Sequence, residues 1–370
     1  MLTHTVYGGA HLFTRDTPRK LGQIALRAYR KHLADDEAMR EVFGDGPFPQ
    51  RAALEQRLEE HPVDDYRIDF EDGFGLRSEE EEHAAAHNAG DELAALLRGS
   101  HSLLRVGLRT RGWSHPERLL RTLRVVTDSL RNADFGSTDF VATLPKVTSL
   151  SEVTRFCDAL SEREHALGWK EGRIGVELLV EHPHAMAPGA LHTWLRAAAA
   201  RLRGLHLGAY DLLAELGVPH TAAVLAHPYC DAARLAMRLA CAASQVDAVD
   251  GVTNRVPVEL HRAESLSAEQ HRANHVAVRG AWKAHISDVL RGISLGFYQG
   301  WDVHPAQLVS RHGAQIAYFS EHVPQAQQRL RGFYEQARQA RASGSVFDDE
   351  ASMRGVELFL ARAGCARARS

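Results

Sequence analysis

Residues 66–75 read YRIDFEDGFG. The run begins as an ordinary strand and then places Asp69, Glu71 and Asp72 within four positions, just before Gly73. Strand side chains repeat every second residue, so Asp69 and Glu71 share a face, and glycine lets the chain leave sharply. Three carboxylates that crowd one strand end repel each other and need a counter-charge or water. A solvated turn and a cation site both meet that need. The rest of the chain decides between them.

Similar short apolar or alternating runs recur on both sides: THTVYGG (3–9), LLRVGL (103–108), DFVATLPKV (139–147), GRIGVELLVE (172–181), GLHLGAYD (204–211), VDAVDGV (246–252) and GISLGFYQGW (292–301). With 66–70 they make eight candidate strands. Between them, residues 115–131, 151–167 and 231–244 return apolar side chains at three- or four-residue intervals, the helical period. Eight strand–helix units predict an α/β fold, a (β/α)8 TIM barrel. An open dinucleotide-binding sheet is disfavoured because the first turn, YGGAHLF, lacks GxGxxG. LRAAAARLRG (195–204) reads as an outer helix with its arginines in water, and SEEEEH (78–83) as the solvated first turn of the helix after strand two. After residue 305 the strand pattern stops. The expected division is a catalytic barrel over 1–308 and a C-terminal helical extension with a lid segment over 309–370.

Composition narrows the function. The chain has 370 residues, 44% of them hydrophobic, and a net charge of −3, so no global field favours nucleic acid or an anionic membrane. Of 44 basic residues only five are lysine, which leaves arginine frequency little functional weight. Cys157, Cys230, Cys241 and Cys365 form no CxxC pair or zinc-ligand spacing. The N-terminus shows no secretory pattern, and the expectation is a cytoplasmic protein with a small-molecule substrate.

Reacting groups of such barrels lie at the C-terminal strand ends, where all eight loops converge. The expected strand ends give Asp69, Glu71 and Asp72 after strand two, Arg105 on strand three, Lys146 after strand four, Glu181 after strand five, Asp211 after strand six and Asp250 after strand seven. Acids dominate, and the histidines form no HExxH motif. Oxygen ligation of a hard ion, Mg²⁺ or Mn²⁺, is the economical explanation, with Glu181 and Asp211 able to supply the carboxylates. Each of these two also suits a helix N-terminus. Arg105 could pair with surface acids or grip a substrate carboxylate, and Lys146 is either an electrostatic group or a Schiff-base nucleophile.

In order along the chain, HTVYGGA, DFEDG, LLRVGL, LPKV, LLVEHPHAM, GAYDLLAELG, DAVDGV and GFYQGWDVHPAQL resemble the motifs of the citrate lyase β-subunit/HpcH-HpaI aldolase family, which includes malyl-CoA and citramalyl-CoA lyases. The resemblance runs from about residue 4 to 308. It implies that Glu181 and Asp211 are metal ligands, that Arg105 clamps a substrate carboxylate, and that Asp69, Glu71 and Asp72 hold metal-bound water. GLRTRGW departs from the family where an asparagine is usual, so Arg109 or Arg111 could share or replace the Arg105 role. GSVFDDEASMRG (344–355) resembles the family's C-terminal segment, which closes over a neighbouring subunit's barrel with a catalytic aspartate, here Asp348. A homo-oligomer, a trimer or hexamer, is implied.

The expected activity is therefore metal-dependent carbon–carbon lyase or aldolase chemistry on a hydroxy acid or hydroxyacyl-CoA. The alternatives are a Schiff-base aldolase using Lys146 and a barrel kept as a non-catalytic subunit.

Overall fold

In the computed structural model, which describes residues 3–45, 48–244, 246–339 and 350–364, the eight runs become β1 (His4–Gly9), β2 (Asp65–Asp69), β3 (Arg105–Arg109), β4 (Asp139–Leu144), β5 (Ile174–Val180), β6 (Leu202–Leu207), β7 (Asp247–Val252) and β8 (Gln299–Asp302). They pair in sequence order, all parallel, and β8 closes on β1. The chain is a closed (β/α)8 barrel. Among the described residues no helix is long and apolar enough to cross a membrane.

Strand alternation sorts the side chains into two environments. Val6, Tyr66, Ile68, Val106, Leu108, Phe140, Ala142, Val176 and Leu178 join the main apolar core between strands and helices. The other parity faces the barrel axis. There Tyr7, Leu179, Val249 and Trp301 form a small apolar cluster of their own. The rest of that interior is ionic. Fully buried Arg67 donates to Glu177 at 2.5 and 2.9 Å and to Thr143 Oγ1 at 3.1 Å, and also pairs with Asp65. Buried charges persist only when paired in this way.

Four expectations change. Residues 292–294 close the helix Ala268–Ser294, so only Gln299–Asp302 form β8. The stretch 195–204 is not one helix: Ala190–Ala198 ends at Ala199, whose φ of 35° breaks the turn, and β6 starts at Leu202. Arg201 is buried against Glu164 rather than in water. Within the helix Glu79–Arg98, Ser78 and Glu81 form a capping box, but Glu82 of its first turn is buried beneath Arg111 and Arg118.

The helix Gln307–Gln339 crosses the expected boundary at 308 without a break, because its first turns, with Leu308, Val309 and Ala314, belong to the main core. Farther along, Leu330 packs with Met353 and Leu360 of the helix Glu350–Arg362. Arg362 then reaches Asp247, the first residue of β7, at 2.8 Å. This part of the tail rests on the N-terminal face of the barrel. A cavity of about 340 Å³ remains there, lined by Arg238, Asp247, Tyr298 and Arg362 among others. Asp348 lies outside the described residues.

Candidate active site

The mouth at the C-terminal strand ends is built around β2. Asp69, its last residue, accepts from the backbone N–H groups of Glu71 at 2.9 Å and Gly73 at 2.8 Å, which folds the acidic segment back over the strand end. A side chain at residue 73 would place its Cβ 2.5 Å from Asp69 Oδ2, so the turn requires glycine. Arg109, the last residue of β3, grips Asp69 with two parallel bonds, Nε–Oδ1 at 2.7 Å and Nη2–Oδ2 at 2.5 Å. Its remaining Nη1 lies 3.1 Å from Glu71 Oε2 and 3.2 Å from Asp72 Oδ2.

Across the mouth, Lys146 follows β4 with a left-handed φ of 52°, a conformation unusual for a residue with a side chain. Its backbone N–H donates to Glu181 Oε1 at 2.5 Å. Its ammonium reaches Asp211 at 2.9 Å, Glu71 at 3.2 Å and Asp72 at 3.9 Å. Glu181, one residue past β5, is buried, and the end of β6 approaches it through Gly208, where a Cβ would fall 2.5 Å from Glu181 Oε2. Asp211 sits in the first turn of the helix Ala209–Glu215, whose N-cap is Gly208, and His182 caps the short helix Pro183–Met186. Neither acid is an N-cap.

The electrostatics follow from crowding. Burial pushes the Glu181 carboxyl up to about 8, with Glu71 and Asp211 adding to the effect. Glu71 rises to about 7, through burial first and then the Asp72 charge, against the pull of Arg109 and Lys146. Burial alone would lower Lys146, but Glu71, Glu181 and Asp211 outweigh it and hold the ammonium charged. A charged amine is a poor nucleophile, which weighs against Schiff-base chemistry at this lysine. Glu181 Oε2 is buried and accepts no hydrogen bond, and the buried Glu71 Oε2 has only its ion-pair contact with Arg109 Nη1 at 3.1 Å. Buried acceptors of this kind call for a partner, and an all-oxygen donor set fits a hard divalent ion. Among the described residues no three His, Cys, Asp or Glu side chains are placed to hold an ion, and the Lys146 ammonium lies among these acids.

Asp69, Glu71, Asp72, Lys146, Glu181 and Asp211 thus gather as expected from sequence. Arg105 does not. It opens β3 level with Asp65 and Asp139, and pairs with Asp139 and Glu177 at 3.2 Å each. Four residues at about 3.3 Å separate it from the mouth. Arg109 occupies the position expected of Arg105. Arg111 turns outward to Glu82, and Asp250 points away from the barrel axis to Arg234 at 2.9 Å. Two site residues escaped sequence reading: the Arg109 guanidinium lies 5.1 Å from the Tyr7 ring and 5.8 Å from that of Trp301, which stack on each other at 4.2 Å. Their inward parity, in TVYGG and QGWD, was the available signal.

The site lies at the C-terminal mouth, where the loops of a parallel (β/α)8 barrel converge. The chain belongs to the family described as a domain of unknown function, DUF6986, whose model matches residues 2–368. No curated protein matches it. Among solved structures it is similar to the malate synthase of Haloferax volcanii. The magnesium/glyoxylate complex shares 15% identity at a TM-score of 0.56, over 96% of this chain and 80% of that one. The native enzyme at 3 mM glyoxylate shares 16% identity at 0.52, over 67% and 64% respectively. The pyruvate/acetyl-CoA ternary complex shares 15% at 0.51, over 80% and 81%. Identities this low establish a common fold.

Proposed function

We propose that this chain is a divalent-metal-dependent carbon–carbon lyase or aldolase of the citrate lyase β-like kind, acting on a hydroxy acid or hydroxyacyl thioester. One observation carries the reading: five carboxylates, Asp69, Glu71, Asp72, Glu181 and Asp211, meet at the barrel mouth, and among the described residues Arg109 and Lys146 are the cations that balance them. The solved malate synthase complexes with magnesium and glyoxylate, and with pyruvate and acetyl-CoA, support it as the same fold put to use on small oxo acids.

Glu181 and Asp211 would hold Mg²⁺ or Mn²⁺, with Asp69, Glu71 and Asp72 arranged around them. Bound there, the ion supplies electrostatic stabilisation to an oxyanion developing on the substrate. The protein supplies the remaining parts. Arg109, whose fork holds Asp69 and whose Nη1 faces Glu71 and Asp72, would place its positive charge against a substrate carboxylate, with the stacked Tyr7 and Trp301 rings beside it. Proton transfer is assigned to Asp348, contributed by a second subunit of a homo-oligomer, because carboxylates on a cation make poor bases.

Hydroxy acids and their acyl thioesters, incubated with enzyme and Mg²⁺, should release a 2-oxo acid that a hydrazine reagent detects. EDTA should abolish the release, and borohydride should trap no adduct. EDTA-insensitive turnover with trapping at Lys146 would sink the proposal.

A further inference from the structure

We propose that the Lys146 ammonium is a built-in counter-ion that takes the cation position of the mouth and must swing outward before a divalent ion can bind. The inference rests on the metal-site reading above and concerns what sets the affinity of that site.

The ammonium contacts three of the five acids, at 2.9 Å to Asp211, 3.2 Å to Glu71 and 3.9 Å to Asp72, and the same residue's backbone N–H holds Glu181. A hard divalent ion on Asp211 sits about 2.0–2.6 Å from its ligand oxygen. An ammonium 2.9 Å from that oxygen would then lie beside the ion, and two positive charges a few ångströms apart in a half-buried pocket repel strongly. The two cations therefore take turns. The Lys146 side chain is 43% exposed, so a route to water is open to it. Its backbone stays fixed by the left-handed turn and by Glu181, which confines the exchange to the side chain. The same arrangement explains how five carboxylates can share a mouth before any ion arrives.

The test compares Mn²⁺ and Mg²⁺ affinity, by calorimetry at fixed pH and by Mn²⁺ paramagnetic resonance, in the wild-type protein, Lys146→Met and Lys146→Asn. Asparagine tolerates the left-handed conformation, so the second variant keeps the test alive if the first misfolds. Removing a cation from contact with the ion should tighten binding about tenfold or more, while the metal-free variants melt at lower temperature than the metal-free wild type. Circular dichroism confirms that each variant is folded. If the variants bind metal with wild-type affinity or more weakly, Lys146 is no competitor and the inference fails while the metal site stands. If neither wild type nor variants bind metal, both fall together.

Discussion

The barrel holds two groups of acids on the same strands, and they are in opposite states. Deep in the interior, Glu177 is buried as completely as Glu181 but is surrounded by Arg67, Arg105 and His206, which overcome its burial and hold it well below the ordinary carboxylate range. At the mouth, Glu181 and Glu71 lie among other acids and rise to about 8 and 7. Burial is common to both groups, so burial alone does not mark a functional acid. The balance of charge does: the interior layer is complete within the chain, and the mouth has an excess that something from outside can neutralise.

The largest expected effect falls on the complete group. Glu177→Ala leaves Arg67 buried with one acid fewer, and chemical denaturation should show a loss of about 3–5 kcal/mol or no folded protein. Glu181→Gln removes a carboxyl that is largely protonated near neutral pH without metal, so metal-free stability should change by less than about 1 kcal/mol while metal binding disappears. Equal losses in the two variants would erase the contrast.

Next comes the arginine pair. Arg109→Lys should weaken binding of glyoxylate, pyruvate or oxaloacetate about tenfold or more and also lower stability, since a point charge cannot replace the fork on buried Asp69. Arg105→Lys should lower stability and leave binding alone. A reversed pattern would return the clamp to Arg105.

A smaller effect is pH-dependent. Folding raises Glu71 and Glu181 above the ordinary value of 4.5, so over the range from 4.5 to about 7 and 8 the folded state holds more protons than the unfolded one. Stability contributed by these groups is full below 4.5 and is lost as pH rises through that window. Thermal melts of metal-free protein should show this decline. Added Mg²⁺ should stabilise more at pH 8 than at pH 6, because binding expels the protons. The smallest test is Asp348: inactive Asp348→Ala and inactive Glu181→Ala subunits, mixed under exchange, should regain part of the activity if the site is shared. An active Asp348→Ala enzyme removes that residue from the reaction.

Much of this architecture was legible in the sequence because parallel strands covered by helices are nearly continuous apolar runs, and eight of them in alternation with helical stretches leave few other folds. The acids of the mouth were legible because they follow those runs directly. What the sequence hid was register. Arg105 and Arg109 are four residues apart and share the inward parity, so alternation could not choose between them; the choice is made by where the ladders to β2 and β4 end. Asp250 was misplaced for the complementary reason, since Val249 takes the inward parity on β7 and sends its neighbour toward the helices. Tyr7 and Trp301 come from opposite ends of the chain and meet only when β8 closes on β1.

The central claim is that the mouth is an incomplete ionic site awaiting a divalent cation. Calorimetric titration of Mg²⁺ and Mn²⁺ into the wild-type protein and a Glu181→Ala, Asp211→Ala double variant tests it most directly. The account predicts one specific site in the wild type and none in the variant, with proton release on binding. Undiminished binding by the folded double variant would contradict it.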